Sequence, residues 1–165
     1  MVEDQNFHKV KKIIYVLILF FVFASKSYSQ NFKLEKLVNL DSPWGSSFIN
    51  DREIIVTEKS GKIKIINILS NNIEEINHKL DFVENYQGGL LDILYKDNFV
   101  WISYTENRKS NKTSTSIARA KFNKNKLDFK NIFQSNPPIE SVYHYGSRLI
   151  IKDDYLYASI GERGE

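Results

Sequence analysis

Gly45-Ser-Ser-Phe48 running into Ile54-Ile-Val-Thr-Glu58, Gly89-Leu-Leu-Asp92 running into Val100-Trp-Ile-Ser-Tyr-Thr-Glu106, and Gly146-Ser-Arg-Leu149 running into Leu156-Tyr-Ala-Ser-Ile-Gly-Glu162 are three versions of one phrase. Each has a glycine, a short apolar strand, an Asn/Asp turn (Asn50-Asp51, Asp97-Asn98, Asp153-Asp154), a second strand and a glutamate at its end. The interval between phrases is close to the ~40–50 residues of a β-propeller blade. The longer second interval is absorbed by the loop through Asn136-Pro137-Pro138. An all-β propeller is therefore expected, with a β-sandwich of irregular hairpins as the structural alternative.

Working outward, Glu53 to Glu58, the turn Lys59-Ser60-Gly61 and the alternating Lys62 to Asn67 read as a hairpin. Phe99–Tyr104 and Ser116–Phe122 form a second pair across the polar loop Glu106 to Thr115, and Leu127 to Phe133 adds an outer strand. After Asn31 no segment holds a helical period over three turns. The arithmetic yields about two blades and the start of a third, whereas a closed ring takes roughly four or more. The expectation is a fragment of a longer protein or a truncated product, with Glu165 directly after a strand.

The 165 residues, 42% hydrophobic and 13% aromatic, are enough for one packed domain. The first twenty-nine stand apart: Lys9, Lys11 and Lys12 precede an apolar run from Ile13 to Ala24, followed by polar Ser25 to Gln30. This pattern predicts a secretory signal peptide over 1–29, cut after Ser29, and a mature domain over 30–165. Twelve apolar residues fall short of the ~20 of a transmembrane helix, so no stable membrane anchor is expected after cleavage. Four of the lysines belong to that leader, so the mature part is close to neutral although the whole chain carries +3. A near-neutral chain without a basic stripe argues against nucleic acid as partner. The cluster Lys121, Lys124, Lys126 and Lys130 is interleaved with Asn and Asp and reads as a solvated hairpin. Zero cysteines exclude disulfides, thiol catalysis and cysteine metal sites, and an exported chain of this kind points to a periplasmic or secreted location.

In an up-and-down blade the start of the first strand and the end of the second meet on one rim. Gln87 and His144 each stand two residues before a phrase glycine, and Glu162 ends a second strand, so all three are expected on that rim. A histidine is suited to general base work near neutral pH, and a carboxylate beside it fixes its tautomer. Gln87 can both donate and accept hydrogen bonds, which suits a polyol or quinone oxygen. Arg148 could meet a cofactor carboxylate or form a structural salt bridge. Trp44, Trp101, Tyr143 and Tyr145 read as core or channel lining, and Asp153-Asp154 as a turn rather than a metal pair.

These residues resemble the PQQ-dependent soluble aldose sugar dehydrogenases, the glucose/sorbosone dehydrogenase family, in its N-terminal portion. The resemblance runs from about residue 38 to 165 through Pro43-Trp44-Gly45, Val56 to Gly61, Gln87 to Asp92, Ser103-Tyr104, His144 to Leu149 and Gly161 to Gly164. It implies a six-bladed propeller that holds pyrroloquinoline quinone (PQQ) and Ca²⁺ in its central channel and oxidises aldose sugars to lactones. By the same resemblance His144 is the catalytic base that takes the anomeric hydroxyl proton as hydride passes to the quinone. Gln87 contacts cofactor and substrate, and Glu162 supports the histidine. The remaining PQQ and calcium ligands are expected in later blades, with no metal ligand in this chain; the electron acceptor is left open. Two other readings stand beside this one: a non-catalytic propeller module that binds a sugar or a protein partner, and a propeller hydrolase of the lactonase type.

Overall fold

The computed structural model describes Lys11, Lys12, Ile14, Tyr15 and residues 32–164. It divides into two units, Met1–Lys36 and Leu37–Glu165. In the first, Lys11, Lys12, Ile14 and Tyr15 are helical and residues 32–36 are irregular. The expected cut after Ser29 lies outside the described residues. No helix among the described residues is long and apolar enough to cross a membrane.

The second unit is all strand and turn. β1 (Pro43–Asn50), β2 (Glu53–Glu58), β3 (Ile63–Asn67) and β4 (Ile73–His78) form a first antiparallel meander. β5 (Leu90–Lys96), β6 (Phe99–Asn107) and β7 (Thr113–Lys121) begin a second. The chain then makes the two-residue β8 (Lys126–Leu127), completes the second sheet with β9 (Lys130–Gln134), and forms the hairpin β10 (Gly146–Lys152) and β11 (Tyr155–Ile160). β5 packs on β1 and β2, and β10 packs on β5 and β6, so the first strands of successive sheets stand side by side as in propeller blades. The main core lies between the first two blades. Ile55, Ile63 and Ile65 meet Leu90, Ile93, Val100 and Ile102 there, all essentially without solvent exposure.

One device repeats at each innermost strand. The ladders slip between Pro43 and Ser46, between Leu90 and Ile93, and between Gly146 and Leu149, so each first strand carries a bulge at the same height. A bulge leaves backbone groups without a ladder partner. A hydroxyl on the neighbouring second strand takes them up: Thr57 Oγ1 accepts from Gly45 N (3.0 Å), Ser103 Oγ from Asp92 N (3.0 Å) and Ser159 Oγ from Arg148 N (3.0 Å). Two of these hydroxyls also reach the next blade, Thr57 donating to Leu91 O (2.5 Å) and Ser103 to Ser147 O (2.8 Å). Asp92, buried, receives Leu149 N (2.7 Å) and Arg148 Nη1 (3.1 Å) and so ties the second blade to the third. At the corresponding place in β1 a glycine is needed, because a Cβ on Gly45 would stand 2.7 Å from the Asp92 Cα.

This register corrects the repeat read from the sequence. Gly45 is level with Asp92 and Arg148, not with Gly89 and Gly146, because the bulges rather than the glycines define equivalent rungs. Glu58 pairs with Pro43 as Tyr104 pairs with Leu90 and Ile160 with Gly146, so Glu106 and Glu162 lie two residues further along than Glu58. Glu58 serves the first blade instead: it is buried and accepts from Asp41 N (2.7 Å) and Lys64 Nζ (2.7 Å).

Three strand assignments also change. Leu127 does not belong to the outer strand of the second blade. It is fully buried, belongs to the core cluster and pairs in parallel with His78 of the first. The loop expected from Glu106 to Thr115 shrinks to Arg108–Lys112, since Thr113 and Thr115 are buried and continue the ladder. β4 has no legible period because it is an outer strand on which Ile76 alone is buried, and His78 at its end bonds Gly61 O (2.7 Å). The basic hairpin is solvated and locally neutralised, Lys124 by Glu53 (2.5 Å) and Lys126 by Asp128 (2.5 Å).

Two outcomes follow from these contacts. Thr57→Val keeps the shape and deletes the hydroxyl that bridges blades, and is expected to lower unfolding stability by about 2 kcal/mol in denaturant titration; an unchanged midpoint would remove the hydroxyl from the account. Burial acts against ionised Glu58, yet Lys64 and the Asp41 N–H outweigh it and hold the carboxyl below its ordinary value of 4.5. A depressed carboxyl contributes stability above its unfolded pKa and loses it as pH falls through the folded value. Lys64→Met leaves burial dominant, so the acid-unfolding midpoint followed by circular dichroism should move to higher pH.

Candidate active site

Gln87, His144 and Glu162 come from the entry to β5, the entry to β10 and the exit of β11, and the structure brings all three together. Gln87 N donates to Val142 O (3.1 Å), and Gln87 Oε1 accepts from His144 N (2.8 Å), so the two entry loops are stitched along their backbones. His144 Nδ1 is hydrogen-bonded to Glu162 Oε1. The residues are not level in the repeat. Counting back from the paired rungs sets His144 beside Gly88, one place from Gln87, and the long amide side chain of Gln87 spans that offset.

The pairing assigns chemistry to each nitrogen. With Nδ1–H facing a carboxylate, Nε2 carries the free lone pair and is the atom that can take a proton. Gly164 N donates to Glu162 Oε2 (3.0 Å), and this bond, followed by the one to His144, holds the Glu162 carboxyl below its ordinary value. Glu162 is therefore an anion at neutral pH, as an orienting partner requires.

His144 sits at φ 46°, a left-handed conformation that costs a residue with a side chain free energy unless its surroundings impose it. The surroundings are specific. Tyr145, buried, accepts from Asn85 Nδ2 (2.7 Å) and donates to Ser141 O (2.9 Å) through its hydroxyl. Its carbonyl accepts from Thr115 Oγ1 (2.6 Å). Gly161 lets β11 approach the loop, since a Cβ there would collide with the His144 carbonyl. Arg163, 5% exposed, reaches back under the loop to Tyr143 O, Ser141 O and Thr113. No sequence pattern singles out Asn85, Thr113 or Arg163. Arg163 stood inside the quoted string Gly161 to Gly164, but its partners lie 20 to 50 residues away in the chain.

Other residues read from the sequence take simpler places. Arg148 forms the salt bridge to Asp92 while its side chain stays 73% exposed. Tyr143 and Tyr86 are exposed and meet edge to face at 5.4 Å, with Tyr143 6.1 Å from the His144 ring, so an aromatic edge flanks the pair. Trp44 is exposed on β1, which leaves channel lining rather than core of its two expected places, and Asp153-Asp154 forms the tight β10–β11 turn with φ 49° and 64°. A groove of about 480 Å³ lies beside the site, lined by Asn85, Asn107, Thr113, Glu140 and Tyr143 among others. A larger one of about 690 Å³, around Phe99, Arg119 and Phe122, lies at the opposite ends of β6 and β7, away from this chemistry.

Gln87 Nε2 has no protein acceptor and His144 Nε2 no partner among the described residues, so the site offers one free donor beside one free ring nitrogen. No cluster of three or more His, Asp or Glu that could hold a metal ion occurs among the described residues.

The chain is similar to several known proteins. The profile of the Glucose / Sorbosone dehydrogenase family matches residues 40–165. An uncharacterised protein of Synechocystis sp. is 30% identical over 141 residues, which cover 76% of this chain and 34% of that protein. A solved glucose dehydrogenase superposes with a TM-score of 0.71 at 25% identity, over 76% of this chain and 42% of that one. The soluble aldose sugar dehydrogenase from Escherichia coli in its apo-form gives 0.70 at 26% identity, over 76% and 39%. In fold alone the chain is also similar to the PQQ-bound aldose sugar dehydrogenase of Streptomyces coelicolor, at TM-score 0.67 and 23% identity over 77% and 40%. The chain thus spans about a third to two fifths of the length of these relatives. From the match over residues 40–165, together with the propeller blades, the chain belongs to the glucose/sorbosone dehydrogenase family.

Proposed function

We propose that this chain is the N-terminal part of a PQQ-dependent dehydrogenase that oxidises aldose sugars to lactones, with His144 as general base. The observation that carries the reading is the joining of His144 to Glu162 and Gln87 from three separate segments, with Nε2 left open. His144 Nε2 takes the proton of the anomeric hydroxyl. Glu162 holds the imidazole in the tautomer that leaves Nε2 available and stabilises the cation once the proton has moved. Gln87 commits Oε1 to the His144 loop and presents Nε2 to a sugar or quinone oxygen. PQQ, when bound, supplies the acceptor for the hydride. The calcium ion that accompanies it in the resemblance would take its ligands from residues other than these.

Two further features support reading the chain as part of a longer propeller. It spans well under half of the solved relatives, and the third blade exposes Ile150, Tyr155 and Tyr157 on one face, which is suited to another sheet. Export to the periplasm or medium rests on the leader pattern at 1–29.

The test is turnover. The full-length protein, supplied with PQQ and Ca²⁺, should reduce an artificial electron acceptor when given aldoses, and His144→Ala should lower kcat by about 10²–10⁴. Unchanged turnover removes His144 from the chemistry, and sugar binding without PQQ uptake would favour a non-catalytic module. Gln87→Leu should speed hydrogen exchange at the His144 amide about fivefold, the equivalent of one lost hydrogen bond of about 1 kcal/mol.

A further inference from the structure

Arg163 is the charged residue whose surroundings are most completely built, and nothing in the proposed chemistry uses it. Its side chain is buried and forms no ion pair among the described residues. Instead its guanidinium is caged by neutral groups. Nε donates to Tyr143 O (2.9 Å), Nη1 to Thr113 O (3.2 Å), and Nη2 to Thr113 Oγ1 (2.9 Å) and Ser141 O (2.6 Å). The Tyr145 ring lies 3.9 Å beneath its carbon centre. Burial pulls its pKa below the usual guanidinium value, so the cage holds a charge that folding disfavours. A planar fork with five donors suits this task, and an ammonium cannot reproduce it.

The position of the cage is what matters. Tyr143, which gives the carbonyl, and Tyr145, which gives the ring, are the two residues that flank His144. Arg163 itself stands between Glu162, which bonds His144, and Gly164, whose N–H bonds Glu162. Ser141 closes the loop from the other side by donating Oγ to Arg163 O (2.5 Å). One side chain therefore grips the backbone on both sides of His144 while its own backbone carries the partner carboxylate. Arg163 also sits at φ 70° and His144 at φ 46°, so both strained residues lie within the region that the cage fixes.

We infer that Arg163 is a positioning residue that locks Glu162 against His144 by clamping the Tyr143–Tyr145 backbone to the end of β11. It touches neither substrate nor cofactor and acts through the pair. The inference rests on the dehydrogenase reading only for its kinetic consequence. The juxtaposition itself is independent of it.

The experiment uses the full-length protein with ¹³C-labelled glutamate, the Glu162 signal being assigned by its loss in Glu162→Gln. The Gly164 N–H and His144 are the groups that hold the Glu162 carboxyl, so its titration reports whether the lock holds. In the wild type the carboxyl should titrate below its ordinary value. In Arg163→Met it should return towards that value, and kcat with PQQ, Ca²⁺ and aldose should fall about 100-fold with little change in KM, as expected when a catalytic pair is displaced by about 1 Å. Arg163→Lys keeps the charge and guards against simple failure to fold: a folded protein with displaced Glu162 titration and low kcat supports the lock. Wild-type titration and turnover in a folded Arg163→Lys or Arg163→Met would overturn it. If the wild type itself shows no dye reduction, the dehydrogenase reading fails, and the Glu162 titration alone decides the role of Arg163.

Discussion

The structure depends on how a bulged inner strand satisfies its backbone. Each blade begins with a strand whose ladder skips, and skipping frees polar groups in a place with little water, where an unpaired N–H or C=O costs on the order of 1–3 kcal/mol. Thr57, Ser103 and Ser159 solve this locally, and Thr57 and Ser103 also solve it between blades by donating to the next inner strand. A hydroxyl is suited to the task because it accepts and donates at one atom. Apolar packing between Ile55, Ile63, Ile65 and the facing β5–β6 residues supplies the driving force, which has no direction of its own. The hydroxyls and Asp92 set the angle and height at which that packing closes.

Height is what the candidate site needs. The entry loops to β5 and β10 can exchange the Gln87–Val142 and His144–Gln87 bonds because the inner strands beneath them are pinned in register. The exit of β11 reaches the same point because Gly146 pairs with Ile160 and Gly161 has no side chain to obstruct the His144 carbonyl. The left-handed backbone at His144 turns its ring towards Glu162, and Tyr145 and Arg163 below hold that turn. Rigid blades thus carry a strained loop, which is the usual division between scaffold and chemistry.

What could be read in advance followed local chemistry. Asp97-Asn98 and Asp153-Asp154 announce tight turns because Asp and Asn tolerate positive φ, and both turns are present. The β2–β3 hairpin was legible from its alternation around Lys59-Ser60-Gly61, whereas β4, with Ile76 alone buried, shows no such contrast. Leu127 reads as part of the second blade's outer strand yet joins the first, because its apolar character calls for burial without saying against which neighbour. Glu58 looked like Glu106 and Glu162 since a carboxylate at a strand end has one appearance in sequence; only the ladder reveals the two-residue offset.

The all-β propeller grammar and the meeting of Gln87, His144 and Glu162 at one end of the strands are legible in the sequence, because turn preferences and strand periodicity are properties of short windows. Tertiary structure alone decided that Glu162 meets His144 Nδ1, that Gln87 bridges a one-residue offset, and that Arg148 is tied to Asp92. It alone decided that Arg163 lies beneath the loop with Thr113, fifty positions earlier, as its partner. Those contacts depend on distances between residues remote in the chain, which the bulge register and the stacking of blades create and no local preference encodes.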